Sequence, residues 1–304
     1  MGEGENERLR LDFDSNLRLE FRGAKVTTDA GLLAVRELDE ALGLTDMAGV
    51  MIRDGRTGKN IRHQMTGLLR QSVYARLAGY EDVNDHERLF CDPAMRAVIG
   101  GKALDRNAAS SQTVSRFETE TLATDENISA LSSINHAWVL RAMRVTGGKK
   151  VILDMDSSES PVHGSQEGSA YNRHFCSRCY HPLFVFNQYG DYEGADLRPG
   201  NVHSADGWRE LLEPIVDRYK AAGKKLYFRG DAAFASPDVY EYLEEKGILY
   251  AMRIKANSKL YEHTDHLMVR PVGRPSAKPK VIYHDFSYRA ASWDRSRRVI
   301  AKIE

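Results

Sequence analysis

The sequence predicts an all-helical N-terminal domain followed by a domain built on a mixed α/β sheet. Apolar residues recur at helical spacing through residues 29–147, where no segment has the alternation of a confident strand. The pair Gly147-Gly148 then interrupts this pattern. Beyond it, the predicted elements follow in the order strand, strand, strand, helix, strand, helix, strand. We therefore expect a domain boundary near residue 147.

Composition and charge narrow the class of protein. The 304 residues are enough for one large or two ordinary domains, and 42% hydrophobic with 28% charged residues is typical of globular proteins. The 43 basic residues equal the 43 acidic ones, so any affinity for DNA must come from local patches. Without an apolar run of membrane-spanning length or a signal peptide, we expect a cytoplasmic protein with no membrane partner. The 3 cysteines do not make a disulfide framework.

The N-terminal half contains one short extended segment and several amphipathic helices. We interpret residues 1–28 as a polar tip followed by a strand. A helix is predicted from Asp29 to Gly43, which is placed to end it. The same apolar spacing predicts further helices over residues 61–77, 85–99, 110–121 and 125–145.

The second half begins with a buried strand that carries two acidic residues. Residues 151–153 form this strand and lead directly into Asp154 and Asp156, which strand alternation puts on the same face. Two more strands, over residues 183–187 and 192–197, are separated by a turn that suits a hairpin. These two strands are therefore expected to be antiparallel neighbours.

The remaining elements bring a third acidic residue to a strand end. An amphipathic helix runs from Trp208 and is closed by Gly223, and a short buried strand then delivers Asp231. A further helix follows Ser236-Pro237, and a strand alternates over residues 248–254.

Asp156 and Asp231 make the best candidate site. Taken singly, each carboxylate is more often structural, capping a strand end or a turn. Together they lie at the carboxyl ends of two buried strands, where ligand sites of α/β proteins gather. Paired carboxylates hold the divalent metal ions that neutralise a phosphate and activate an oxygen nucleophile. The pair therefore favours metal-dependent phosphodiester chemistry.

Three stretches of this region resemble a known family. They are Leu153–Gly164 (LDMDSSESPVHG), Gln166–Gly168 (QEG) and Arg229–Ala235 (RGDAAFA). They look like the IS1380-type group of DDE transposases, within the IS4-like superfamily of bacterial insertion sequences. The similarity runs from about Val26 to the end of the chain, and it includes Ser115–Glu118 and Ser292–Asp294.

The resemblance implies a domain plan and a fold. Residues 29–147 would be a helical DNA-binding domain and residues 148–258 an RNase H-like mixed-sheet core. Residues 259–304 would be a linker and the start of a β-rich insertion. The partner would be double-stranded DNA at the ends of the insertion sequence. A homodimer and a location at the nucleoid are further expectations.

The resemblance also implies roles for the acidic residues. Asp156 would be the first ligand of a Mg²⁺ or Mn²⁺ ion and Asp231 the second, with Asp154 as the alternative first ligand. The family's third acid is a glutamate on a helix beyond the β-rich insertion. Glu304 lies in a strand-like pattern, so we do not give it this role. We therefore expect a C-terminally truncated transposase that carries two of three catalytic acids.

Two other functions fit the same residues. The chain could be a non-catalytic DNA-binding remnant of a transposase. It could also be a haloacid-dehalogenase-type phosphatase, with Asp154 as the nucleophile and Asp156 as the general acid. That phosphatase fold requires a crossover helix and parallel strands after the motif, whereas this sequence predicts a hairpin.

Basic residues and a cysteine pair complete the candidates. The DNA contacts that we consider are Arg106, Arg116, Arg274, Lys278, Arg297 and Arg298. For each of them a solvated surface or a flexible linker is the alternative. Cys176 and Cys179 lie among histidines with a spacing that zinc sites use, but we interpret them as two buried thiols beside a strand.

Overall fold

The computed structural model describes residues 9–19, 27–58, 61–164, 166–269, 272–273 and 280–304. The chain divides into two compact units, Met1–Gly147 and Gly148–Glu304. In its described residues the first unit is helical beyond a short β-hairpin, and the second contains a mixed sheet with helices. The predicted fold class is thus confirmed.

The helical unit opens with a β-hairpin rather than one strand. Strands β1 (Leu9–Leu11) and β2 (Asp14–Leu19) pair antiparallel, and the described elements of residues 27–147 are then all helical. The α-helices are α1 (Leu32–Leu42), α2 (Leu44–Met51), α3 (Met65–Leu77), α4 (His86–Leu89), α5 (Pro93–Ile99), α6 (Lys102–Asp105), α7 (Ser111–Arg116) and α8 (Asp125–Thr146). A short 3₁₀-helix, Val83–Asp85, precedes α4, and a π-helical turn, Phe117–Leu122, follows α7.

Local capping explains where these helices begin and end. Gly43 has a φ of 68°, a left-handed conformation that glycine adopts without strain, and it ends α1 as predicted. The helix predicted over residues 85–99 is wrong in one respect, because it is broken in two. The Asp92 carboxylate accepts a hydrogen bond from the Met95 backbone N–H at 2.8 Å, and Pro93 occupies the first turn. These two residues therefore start α5 as a separate helix.

The second unit is built on a five-stranded sheet. Its strands are β3 (Lys150–Ser157), β7 (Leu183–Asn187), β8 (Tyr192–Asp196), β9 (Lys225–Gly230) and β10 (Leu249–Met252), in the spatial order β8-β7-β3-β9-β10. A separate three-stranded sheet is formed by residues between β3 and β7 in the sequence. Its strands are β4 (Ser160–Pro161), β5 (Ala170–Asn172) and β6 (Ser177–Tyr180). The helices are α9 (Trp208–Ala221) and α10 (Pro237–Glu245).

Strand directions identify the fold of this unit. Strand β3 pairs antiparallel with β7 and parallel with β9, and β9 pairs parallel with β10. Three antiparallel strands followed by two strands parallel to the first are the arrangement of the RNase H-like core that the resemblance implies. That prediction is confirmed. A phosphatase of the haloacid-dehalogenase type would need parallel strands on both sides of β3, so the antiparallel β7 contradicts that alternative.

Alternation along β3 separates a buried face from an open one. Val151, Leu153 and Met155 are buried on one face of the sheet. Asp154 and Asp156 lie on the opposite face, where the sheet side chains are half-buried or exposed. The sequence prediction that the two carboxylates share a face agrees with this pattern.

The chain then forms two short helices and a hairpin. Helices α11 (Ser258–Glu262) and α12 (Asp265–Met268) differ from the expected linker, whereas strands β11 (Ile282–Tyr288) and β12 (Arg297–Ile303) lie in the segment that was expected to begin a β-rich insertion. The hairpin is anchored on α10, because the Glu244 carboxylate accepts hydrogen bonds from Arg297 at 2.9 and 3.0 Å. The Arg297 guanidinium also lies 4.9 Å from the ring centre of Tyr240 and 5.3 Å from that of Trp293.

This anchor predicts that acid weakens the second unit. Partial burial by itself raises the pKa of Glu244, but hydrogen bonds from Arg297, Tyr250 and Arg295 outweigh it and lower the pKa to about 2. A carboxyl group whose pKa is lower in the folded state adds stability above its unfolded pKa, and this contribution is lost as the pH falls. We expect the urea midpoint to fall between pH 5 and pH 2.5, and less so in Glu244→Gln. An identical pH dependence in the two proteins would contradict this role of Glu244.

Candidate active site at the ends of the parallel strands

The sheet brings Asp156 and Asp231 to neighbouring positions. The last residues that pair between β3 and β9 are Met155 and Gly230. Asp156 directly follows Met155, and Asp231 directly follows Gly230. Adjacent strands lie about 4.8 Å apart, so the two backbones run side by side at this point. Both side chains are exposed. Two residues that are distant in the sequence thus occupy neighbouring backbone positions at the carboxyl ends of the parallel strands.

Local hydrogen bonds orient each aspartate but leave it able to bind a ligand. Asp156 Oδ1 accepts from the Ser157 backbone N–H at 2.8 Å, and Asp231 Oδ1 accepts from the Ala233 backbone N–H at 2.8 Å. In the part of the chain that the structure describes, the second oxygen of each carboxylate has no protein partner. Each aspartate can therefore donate oxygen ligands into the space beyond the strand ends.

Asp154 is engaged differently. Both of its carboxylate oxygens accept hydrogen bonds from the Arg229 guanidinium, and the two residues are directly paired across β3 and β9. This bidentate contact is the geometry in which arginine binds a carboxylate most specifically. Asp154 therefore already has a cationic partner, one step before the two aspartates at the strand ends. That occupation makes it a poorer metal ligand than Asp156.

A third acidic residue does not complete the pair within the described ranges. No cluster of three or more histidine, cysteine, aspartate or glutamate side chains with the geometry of a metal site occurs among those residues. Glu304 follows β12, is exposed, and forms an ion pair with Lys302. The structure thus gives the site two carboxylates.

The basic candidates in the helical unit are exposed. Arg106 follows α6, and Arg116 is the last residue of α7, immediately before the π-helical turn. Arg116 also borders a cavity of about 300 Å³ together with Arg56, Gln112 and Thr113. An exposed cation beside polar side chains is compatible with a phosphate contact.

The basic candidates near the C-terminus have different surroundings. The Arg297 side chain is 6% exposed and pairs with Glu244 and Asp294, so its burial is inconsistent with the predicted contact to a DNA backbone. Arg298 is 72% exposed and pairs with Asp285 on β11. Arg274 and Lys278 lie outside the described residues.

The prediction that Cys176 and Cys179 are both buried is wrong for one of them. Cys179 is fully buried in β6, but Cys176 is exposed and its Sγ contacts the Arg173 carbonyl oxygen. Only one of the two thiols is therefore buried, because the turn before β6 carries Cys176 out to solvent.

Sequence reasoning missed one residue beside the aspartates. Arg253 follows β10, and its backbone N–H donates to the Gly230 carbonyl at 3.3 Å, so it continues the pairing of β10 with β9. The signal was present in the sequence. Tyr250, Met252 and Ile254 alternate as the packed side of the strand, which leaves Arg253 on the face of Asp231.

No helix within the described ranges is long and apolar enough to cross a membrane.

The chain is similar to a family of known proteins and to solved structures. A family model described as "Transposase DDE domain group 1" matches residues 9–304. No curated protein matches the sequence. Among solved structures, the piggyBac transposase synaptic complex with hairpin DNA aligns with a TM-score of 0.37 and 12% identity, over 92% of this chain and 62% of that chain. The Mos1 strand transfer complex aligns with a TM-score of 0.24 and 14% identity, over 84% of this chain and 69% of that chain. This chain thus spans less than two thirds of the piggyBac chain.

The match over residues 9–304 confirms the resemblance to DDE transposases that the motifs indicated. The chain belongs to the transposase DDE domain family, group 1.

Proposed function

We propose that this chain carries the DNA-processing site of a transposase, in which Asp156 and Asp231 bind a divalent metal ion. The reaction would be strand cleavage and strand transfer at the ends of an insertion sequence. The observation that supports this proposal best is the position of the two carboxylates. They follow a directly paired position of two parallel strands, in a chain of the transposase DDE domain family.

The donor atoms fit Mg²⁺ or Mn²⁺. Asp156 and Asp231 offer hard carboxylate oxygens, and both side chains are exposed. Mg²⁺ is commonly held by one or two carboxylates, with waters and substrate phosphates as its remaining ligands. When bound, such an ion neutralises charge on the phosphate and activates the attacking oxygen. Asp154 is not needed for this role because Arg229 already occupies it.

The residues around the pair keep the two aspartates in place. The Asp154–Arg229 ion pair links β3 and β9 one step before the strand ends, and so it favours the register that aligns the aspartates. Its side chains are about half exposed, so we assign it a positioning role and only a small contribution to stability.

DNA is the proposed partner. The exposed Arg106 and Arg116 of the helical unit would contact phosphates, as would Arg298 of the hairpin once it exchanges Asp285 for DNA. Arg274 and Lys278 remain proposed contacts. We also propose that the active assembly is a homodimer located at the nucleoid.

A second candidate function is that of a DNA-binding remnant without catalysis. It is favoured by one observation, namely that the described residues offer a pair of carboxylates and no cluster of three. Such a chain would bind the DNA ends and compete with a complete transposase.

One assay separates the two functions. The substrate is a labelled duplex of the DNA that flanks the coding sequence, incubated with the chain in Mg²⁺, in Mn²⁺ or in EDTA. A transposase site is expected to cleave the duplex only with metal, whereas a remnant is expected to shift it in a gel and leave it intact. Failure to bind this duplex would contradict both functions. Hydrolysis of p-nitrophenyl phosphate, tested in parallel, is not expected, because the antiparallel β7 contradicts the phosphatase fold.

A further inference from the structure

We infer that Arg253 binds a phosphate of the DNA substrate beside Asp156 and Asp231. This inference rests on the proposed function and adds to it a residue that binds the phosphate group of the same substrate. Arg253 follows the last residue of β10, the strand at the edge of the five-stranded sheet.

The register places Arg253 in line with the aspartates. Strand β10 pairs with β9 up to Met252 and Gly230, and β9 pairs with β3 up to Gly230 and Met155. The next residues along these three strands are Arg253, Asp231 and Asp156. We call these three positions the end row. With strands about 4.8 Å apart, the end row spans about 10 Å from its first backbone to its last.

Unlike Arg229 and Arg298, Arg253 has no carboxylate partner among the described residues. Arg229 pairs with Asp154, and Arg298 pairs with Asp285. The Arg253 side chain is exposed, and within the described residues it forms neither an ion pair nor a side-chain hydrogen bond. Arg229, which links two strands of the sheet, has such a partner. Because the Arg253 guanidinium has no such partner, it is available for an anion that binds beside Asp156 and Asp231.

Charge balance supports a phosphodiester as that anion. The two carboxylates cancel the charge of one divalent ion, which leaves the single negative charge of a phosphodiester unbalanced. Arg253 supplies the missing positive charge. Its planar guanidinium can also donate two parallel hydrogen bonds to phosphate oxygens, which lysine cannot do.

The test measures binding rather than turnover. A fluorescent duplex of the DNA that flanks the coding sequence is titrated with the chain by anisotropy, in Ca²⁺ and in EDTA. We compare the wild type with Arg253→Gln, Arg253→Lys and Asp231→Ala. Lys150→Gln is the matched control, because Lys150 is exposed at the opposite end of β3 and its substitution removes the same charge.

In Ca²⁺, Arg253→Gln is expected to weaken binding on the order of 10-fold and to lower the slope of log affinity against log salt by about 1. Arg253→Lys should recover part of the affinity, and Lys150→Gln should stay close to the wild type. In EDTA, the effect of Arg253→Gln should shrink, because the phosphate is then no longer held at the end row.

The two failures can be told apart. If Arg253→Gln matches Lys150→Gln while Asp231→Ala removes the effect of Ca²⁺, the role of Arg253 is overturned and the metal site stands. If Ca²⁺ raises the affinity of Asp231→Ala as much as that of the wild type, or if it has no effect on the wild type, the proposed metal site itself is overturned. Unchanged thermal melting of Arg253→Gln checks that the fold is intact.

Discussion

Replacing Asp231 with alanine is expected to abolish metal-dependent cleavage of the flanking DNA, with a loss of about 10³-fold or more in rate. The carboxylate is one of the two at the strand ends, and its removal leaves Asp156 as a single ligand. A metal ion contributes several kcal/mol of transition-state stabilisation, and about 4 kcal/mol corresponds to 10³-fold. Single-turnover cleavage in Mn²⁺, measured on a labelled duplex, gives the rate.

Two control variants show whether this loss is specific. Asp238→Ala removes an exposed carboxylate from the first turn of α10, and it should retain most of the activity. Asp154→Asn breaks the ion pair with Arg229 and should lower the rate less than Asp231→Ala does. If cleavage survives Asp231→Ala, the metal-site assignment is wrong. If Asp154→Asn lowers the rate as much as Asp231→Ala does, the purely positioning role of Asp154 is wrong.

The largest expected loss of stability follows substitution of Arg297 by alanine. Its guanidinium is buried against Tyr240 and Trp293, and it donates to Glu244 and Asp294. Removing one partner of a buried ion pair typically costs about 3–5 kcal/mol, because the other charge is left without compensation. We expect a cost near the lower end, since Arg295 still reaches Glu244. Urea unfolding followed by tryptophan fluorescence measures it.

Arg298→Ala is the matched control for this prediction. Arg298 is the next residue in the chain, and its ion pair with Asp285 is exposed, so the expected cost is below about 1 kcal/mol. The DNA affinities should show the opposite order, because only Arg298 is accessible to a phosphate. Equal urea midpoints for the two variants would contradict the role of Arg297 as the anchor of the hairpin.

Several features of the site followed from local sequence patterns. Strand alternation after Gly147-Gly148 placed Asp154 and Asp156 on one face, and the order of strands and helices indicated the neighbouring positions of β3 and β9. Gly43 was correctly placed as the end of a helix. Asp92 and Pro93 are a recognisable helix start. The apolar residues on both sides of them keep helical spacing, however, and therefore predicted one unbroken helix.

The partners of the charged residues could not be obtained in this way. Arg297 and Arg298 look alike in the sequence, and alternation says only that they lie on opposite faces of a strand. Which face is covered depends on Glu244, a residue of α10 that lies 53 positions earlier. Likewise, Asp154 is a plausible ligand until the register of β3 with β9 places Arg229 opposite it.

By itself, the sequence determined the helical and mixed-sheet halves, the order of the strands and the two aspartates at their ends. These properties depend on periodicity and on turn residues, which act between near neighbours in the chain. Only the tertiary structure decided which acids have a basic partner, which arginines are buried, and that the pairing of β10 with β9 puts Arg253 next to Asp231. Those outcomes depend on strand register and on packing between segments that are far apart in the sequence. Such packing decides whether a charged side chain is buried and which opposite charge lies beside it, and these two factors set its electrostatic energy.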